Sequence, residues 1–502
     1  MSSSSSRCAR GAAVEQPRRA APAAIAAANA RGFPLGALAA AALYGAVMAA
    51  FYPYRDVFAF DTDEGINAIK ALLVDRGYAL YADIWSDQPP LFTLALRAWL
   101  DAFGWDVNTG RLLVLLCAAA AVFALYDTVR LLASEPAAVL ATALLATSAY
   151  FPRLSVSIMI GLPAIALALL ALWSLCRRLS GGGPGWLALA ALFMGSSLAC
   201  KLFTAVLLPV FAIWLIATET AGRCGRWAAG ALWVLASALV GLALLWTLAG
   251  PEHLVDLVAP HLASRRAPAM QSFGAQGLLV TAAAEWPLTV LALGSYLLIA
   301  RERRWRAAVL PAWALAATAA LLTHVPIWYH HQLLLTVPHC AATGIAVAAL
   351  FAGHRSRTRS APALRALAVA LIAAQLAWTA LYGPRLPSRT LSGVPARVLT
   401  AMRQLADVTR VVFATEPMYA FRAGYEVPPR LAVLSHKRLL TDAALFEEIR
   451  AVFESRPPQQ VVLGNDDREL DRAVRDAMGG DYRLLLTAPG VSLFARRAIL
   501  ER

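Results

Sequence analysis

The densest chemistry in the chain lies between residues 58 and 92, FAFDTDEGINAIKALLVDRGYALYADIWSDQPPLF, where Asp61, Asp63, Glu64, Asp75, Asp83 and Asp87 stand among aromatic and aliphatic residues. An Asp-x-Asp-Glu group followed by Gly65 and a helical apolar pattern (Ile66, Ile69, Ala71, Leu72, Leu73) puts carboxylates at a helix N-terminus, where free N–H groups and the dipole favour the ionised form. An ionised carboxylate there can act as a general base. The competing reading is structural: Asp61 or Asp63 caps the helix, and Asp83 and Asp87 are solvated loop residues. Trp85, Gln88, Pro89 and Pro90 follow directly. A rigid double proline leading into an apolar surface helix suits a loop held against a bilayer, where a lipid substrate arrives.

The elements that must position these groups are membrane helices. Of 502 residues, 59% are hydrophobic and 15% charged, and the mean hydropathy is +0.59, which excludes an ordinary soluble protein. The net charge of +14 invites a nucleic-acid partner, but the arginines fall in short clusters between apolar runs, so no nucleic acid is expected. The clusters Arg7/Arg10/Arg18/Arg19/Arg31, Arg130, Arg177/Arg178, Arg223/Arg226, Arg301/Arg303/Arg304/Arg306 and Arg355/Arg357/Arg359 mark cytoplasmic connections. Keeping each inside gives about eleven spans, near 34–52, 108–130, 136–151, 157–176, 185–199, 202–218, 228–249, 286–300, 307–323, 332–350 and 363–381. The N-terminus is then inside and the C-terminus outside, provided the apolar stretch Pro89 to Gly104 lies on the membrane surface.

Three parts are expected: a disordered cytoplasmic tail (1–33), a transmembrane domain (34–384) with a long outer loop (53–107), and an extracytoplasmic α/β domain (385–502). That last part alternates β-rich runs (411–414, 460–463, 482–486, 491–495) with helical patterns (442–454, 467–478), and reads as a cap or docking module without chemistry. Six scattered cysteines (Cys8, Cys117, Cys176, Cys200, Cys224, Cys340) indicate neither a disulfide framework nor a zinc site.

Over roughly residues 30–350 the order and spacing of several short elements carry a resemblance. They are Asp63-Glu64, then Gln88-Pro89-Pro90-Leu91, Arg111 opening the next helix, Lys201 with Pro209 downstream, and Tyr329-His330-His331 with Pro338. Together they resemble the GT-C class of polyprenyl-phosphate-sugar glycosyltransferases. The likeness is to the glycosyltransferase 39 group, which includes protein O-mannosyltransferases and the bacterial aminoarabinose and lipopolysaccharide-core sugar transferases. The resemblance implies an all-α polytopic GT-C fold and a polyprenyl-phosphate-linked sugar donor. It implies an acceptor hydroxyl on a lipid, polysaccharide or protein. It implies Asp63 as base in an inverting transfer with Glu64 in support, and Lys201 and Arg111 as the cations facing the departing phosphate. Asp61, Gln88, His330 and His331 become candidate substrate contacts. No cofactor is assigned, and a divalent metal, with Asp63 as its candidate ligand, is left open. One departure stands out: Leu162 occupies the place of a second acid that the family often carries.

Alternatives stay open for several residues. Lys201, set between two apolar stretches, costs on the order of 2.5–3.5 kcal/mol at the bilayer centre. It therefore either holds the donor's phosphate or snorkels to the interface. His330 and His331, beside Trp328 and Tyr329, are interfacial anchors or substrate contacts. Arg265, Arg266, His253 and His261 are solvated or face a phosphate, and Glu285 reads as a helix-start carboxylate. The rival functions are a lipid-linked-sugar flippase, disfavoured because no repeated halves are visible, and a GT-C protein that binds such lipids without catalysis. High Ala, Arg and Leu content points to a GC-rich bacterium and hence to its inner membrane.

Overall fold

The computed structural model describes residues 34–220, 222–267, 274–352, 361–383, 388–464 and 467–501. The expected tail (1–33), Cys8 and the basic run Arg355/Arg357/Arg359 lie outside the described residues.

Helix α1 (Leu35–Phe51) leads to a short strand β1 (Val57–Ala59), helix α2 (Thr62–Asp75) and the Pro-Pro helix α3 (Leu91–Phe103). The body continues with α4 (Val107–Leu132), α5 (Glu135–Ala146), α6 (Gly161–Leu179), α7 (Gly185–Cys200), α8 (Leu207–Thr218) and α9 (Arg223–Ala249). It closes with α10 (Ala259–Arg266), α11 (Trp286–Arg301), α12 (Val309–Leu322), α13 (Leu333–Phe351) and α14 (Ala361–Tyr382). Each expected span falls on an apolar helix. Among the described residues six helical stretches are long and apolar enough to cross a membrane by length and composition, α12 only together with the 3-10 turn Trp305–Ala308 before it; five more are apolar but shorter. The stretch after Pro90 forms a separate 13-residue helix, too short to cross a bilayer unaided.

Packing follows membrane rules, with small residues where helices approach closely. Helix α6 packs on α4 and α7, α7 on α9, and α13 on α5 and α11. A Cβ on Gly195 of α7 would stand 2.6 Å from Val240 of α9, so that crossing requires glycine. Two of the expected cytoplasmic arginines meet at one buried acid: Arg130 and Arg177 each lie 2.6 Å from Asp127, which also accepts from Trp173 Nε1 at 2.7 Å. Asp127 is sixteen residues along α4 from Arg111, about 24 Å at 1.5 Å per residue. This charged knot therefore marks the opposite end of the helical body from the loop that carries Asp61 to Asp87.

The C-terminal part contains strand β2 (Arg389–Thr390), strand β3 (Val412–Ala414), helix α15 (Pro417–Ala423), helix α16 (His436–Thr441) and helix α17 (Leu445–Ser455). Strand β4 (Gln460–Gly464), helix α18 (Arg468–Met478) and strands β5 (Tyr482–Ala488) and β6 (Val491–Arg496) complete it. The sheet order is β3-β4-β6-β5, parallel between β3 and β4 and antiparallel elsewhere. Alternating runs in the sequence correspond to these strands. A feature with no counterpart in the sequence reading is the antiparallel pairing of β1 with β2, which stitches the loop after α1 to the chain just after α14.

Candidate active site

Helix α2 starts where the sequence places its acids. Asp61 caps it, its Oδ1 accepting from the Asp63 N–H at 2.9 Å. Residues 63 and 64 then diverge, since successive helical positions point about 100° apart. Glu64 turns inward and is fully buried. Each of its oxygens serves one guanidinium N–H and one backbone N–H: Oε1 accepts from Arg111 Nε (2.8 Å) and Ile158 N (3.1 Å), Oε2 from Arg111 Nη2 (2.9 Å) and Phe60 N (3.0 Å). Arg111 Nη1 also donates to Tyr54 O (2.7 Å) and Val57 O (2.9 Å). The two residues expected to support the base and to face the phosphate are thus spent on each other and on the backbone, and neither lines the cavity beside them. Their spacing in sequence, 47 residues, hides the pairing.

Asp63 faces that cavity, whose volume is about 630 Å³. Burial raises its pKa to about 7, with Asp61 pushing the same way and Lys201 and Lys70 opposing. Asp61, Gln88, Lys201, His330 and His331 line the same space. Lys201 ends α7 in extended backbone, its Nζ lying 5.0 Å from the centre of the Phe203 ring and in no salt bridge among the described residues. Burial lowers its pKa to about 8; Asp63 opposes the fall and Lys437 adds to it. His330 and His331 occupy the 3-10 turn that opens α13, ring centroids 4.4 Å apart. His331 Nδ1 accepts from Trp328 N at 3.0 Å, so its proton sits on Nε2.

Asp87 is not a solvated loop residue. It is buried, and Lys437 of α16 meets its Oδ2 at 2.5 Å while Gln88 Nε2 donates to Oδ1 at 3.0 Å. Burial works against its charge, yet Lys437 and His261 outweigh it and hold the carboxyl below its usual range. Gln88 therefore braces Asp87. Asp83 stays exposed and closes a local turn on Ala79 N. His261, Arg265 and His324 join the lining, as does Lys70, seven residues after Asp63 on the same helical face. The C-terminal part contributes as well, with Arg389, Glu416 and Lys437 in the wall and Arg389 paired with Glu416. The C-terminal part thus lies against the cavity as a cap. Glu285 is a brace, accepting from Ala149 N at 3.1 Å and Thr336 Oγ1 at 2.6 Å. Leu162 is buried in α6, and the cavity wall at that point is Met159, Ile160 and Gly161. Among the described residues no three His, Cys, Asp or Glu side chains come together as a metal-binding group.

Residues 87–247 match the family model for dolichyl-phosphate-mannose-protein mannosyltransferases, a stretch that begins at Asp87 and includes Arg111 and Lys201. No curated protein matches the chain by sequence. Among solved structures, ArnT from Cupriavidus metallidurans bound to undecaprenyl phosphate superposes with a TM-score of 0.64 at 14% identity, covering 90% of this chain and 97% of that one. The archaeal oligosaccharyltransferase AglB from Archaeoglobus fulgidus, in complex with an inhibitory peptide and a dolichol-phosphate, gives 0.58 at 13% identity, covering 92% and 74%. The chain shares the fold of ArnT and AglB and carries the mannosyltransferase family match within its first half, which bears out the resemblance to the GT-C class of polyprenyl-phosphate-sugar glycosyltransferases.

Proposed function

We propose that the chain is an integral membrane glycosyltransferase that moves a sugar from a polyprenyl-phosphate donor to an acceptor hydroxyl. The acceptor belongs to a lipid, polysaccharide or protein of the cell envelope, and the reaction takes place at the outer face of a bacterial inner membrane. The observation that carries this reading is the convergence of Asp63 and Lys201 on one cavity at the ends of apolar helices. A carboxylate near pH 7 is matched to taking a proton from a hydroxyl. The acceptor oxygen then attacks the anomeric carbon, the bond from that carbon to the phosphate oxygen breaks, and its electron pair leaves with the polyprenyl phosphate. Inversion follows from attack opposite the leaving group. Lys201 faces the growing negative charge of the phosphate. Glu64 and Arg111 hold the start of α2, and so the direction of Asp63, rather than touching substrate.

The outer-face assignment rests on the arginine clusters, since Arg130 and Arg177 sit at the far end of the helical body. It also fits the donor, because lipid-linked sugars are presented outside whereas nucleotide sugars are cytoplasmic. A divalent ion would find two carboxylates at this wall, Asp61 and Asp63, and among the described residues no third acidic, His or Cys ligand grouped with them. The test is transfer of radiolabelled sugar from a set of polyprenyl-phosphate sugars by purified protein in lipid vesicles, comparing wild type with Asp63→Asn. Turnover that disappears in the variant supports the reading. Equal turnover by both proteins removes the role of Asp63, and no consumption of any donor moves the assignment to transport or binding.

A further inference from the structure

The cavity needs more positive charge than Lys201 alone supplies, because a departing polyprenyl phosphate carries up to two negative charges, and the other expected cation, Arg111, is locked on Glu64. Of the other cations in the wall, Lys70 reaches Ser86 Oγ at 3.4 Å, Arg265 lies on α10, and Arg389, 46% exposed, pairs with Glu416. Lys437 is also paired, with Asp87, but is held more deeply. Its side chain is 12% exposed and its Nζ contacts Asp87 Oδ2 at 2.5 Å and His261 Nδ1 at 3.1 Å. An ammonium has three N–H groups, so these two contacts leave one for a ligand.

The segment that carries Lys437 is clamped. Ser435 caps α16 by accepting from Arg438 N. The next residue, Arg438, is fully buried, donating to Asp442 at 2.9 Å and Glu448 at 2.6 Å and lying 5.0 Å from the centre of the Trp85 ring. Trp85 lies two residues before Asp87 in the stretch that leads to α3. Helix α10, which bears His261 and Arg265, packs on α16 from the membrane body. Three separate segments therefore aim one lysine into the cavity.

From this placement, and resting on the function proposed above, we infer that Lys437 is a donor-binding residue. Together with Lys201 it grips the phosphate of the polyprenyl donor, and Asp87 holds its ammonium in place until that phosphate arrives. The phosphate subsite is thus completed by the C-terminal domain. Asp87 and the phosphate compete for the same cation, and removing the carboxylate charge leaves Lys437 free for the ligand.

The experiment measures binding of undecaprenyl phosphate to the full-length protein in nanodiscs, with undecaprenol as the uncharged control, for wild type, Lys437→Ala, Lys437→Arg and Asp87→Asn. Losing a charge-assisted contact weakens binding roughly 10- to 100-fold, so Lys437→Ala should bind the phosphate that much more weakly and undecaprenol as before. Lys437→Arg should retain most of the affinity, and Asp87→Asn should bind as tightly as wild type or more so. In transfer assays the Lys437→Ala defect should appear in kcat as well as in the donor KM, because the phosphate gains negative charge as it leaves. Wild-type affinity in Lys437→Ala overturns the inference. So does an Asp87→Asn defect as large as that of Lys437→Ala, which would make the pair a structural latch. If Lys437→Ala fails to fold, the opposite signs expected for Asp87→Asn and for a latch still decide. A wild type that binds the phosphate with this pattern but transfers no sugar removes the proposed reaction and leaves the Lys437 assignment standing.

Discussion

Glu64 and Asp63 are neighbours that sequence alone treats as one motif, and exchanging the Glu64 carboxylate for a carboxamide separates their roles. Four donors converge on Glu64, two on each oxygen. Whichever way the Glu64→Gln amide turns, its NH2 meets one guanidinium N–H and one backbone N–H, leaving two buried donors unpaired. At about 1–3 kcal/mol for each lost acceptor, the variant should be destabilised by about 2–6 kcal/mol. Arg111→Met strands the Glu64 charge and should cost about 3–5 kcal/mol. The double variant Glu64→Leu/Arg111→Met buries no charge, so its cost should fall below the sum of Glu64→Leu and Arg111→Met by at least about 2 kcal/mol. Denaturant unfolding followed by tryptophan fluorescence in nanodiscs reads all of these. The reasoning is refuted if Glu64→Gln unfolds where wild type does while its kcat drops as far as that of Asp63→Asn, for then Glu64 takes part in the chemistry instead of bracing it.

Further outcomes are expected. The carboxylate form of Asp63 predominates above pH about 7 and the ammonium form of Lys201 below about 8, so kcat/KM should peak between them and fall on both sides. Lys201→Arg should remove the alkaline limb, since a guanidinium stays charged. Because Asp63 holds its proton more tightly folded than unfolded, its carboxyl lowers stability progressively from about pH 4 to pH 7. Asp63→Asn should therefore raise Tm at pH 8 and leave it nearly unchanged at pH 4. A Cβ on Gly65 would lie 2.6 Å from the backbone nitrogen of Met418 in α15, which cannot swing aside; Gly65→Ala should cost about 1–3 kcal/mol and expose the C-terminal part to limited proteolysis.

Much of the helical body was legible because apolar runs of spanning length have few other uses. Asp63, Lys201 and His330 could be singled out for the complementary reason, that polar groups among apolar ones are costly and so need a purpose. The division of labour between Asp63 and Glu64 was not legible, because adjacency in sequence does not say which of two helical side chains turns toward a cavity. Arg111 misled for the same reason: a cation opening a helix reads alike whether it meets a phosphate or a buried carboxylate. Lys437 left no signal at all, lying in a polar segment of ordinary composition with its partner 350 residues away. The solvated reading of Asp87 stayed open beside the chemical one because that partner could not be seen.

The joining of distant segments has a consequence for biogenesis. Strand β1 waits for β2, Val57 and Phe58 carbonyls wait for Arg422 some 365 and 364 residues on, and Asp87 waits for Lys437. At a synthesis rate of roughly 5–20 residues per second, the 350 residues between Asp87 and Lys437 take roughly 20–70 s to make. Throughout that interval the helices can insert while the cavity lacks the wall that the C-terminal part supplies. A chain halted after α14 would carry Asp63 with no closed pocket around it, so the pocket forms only once the C-terminal segments have been made.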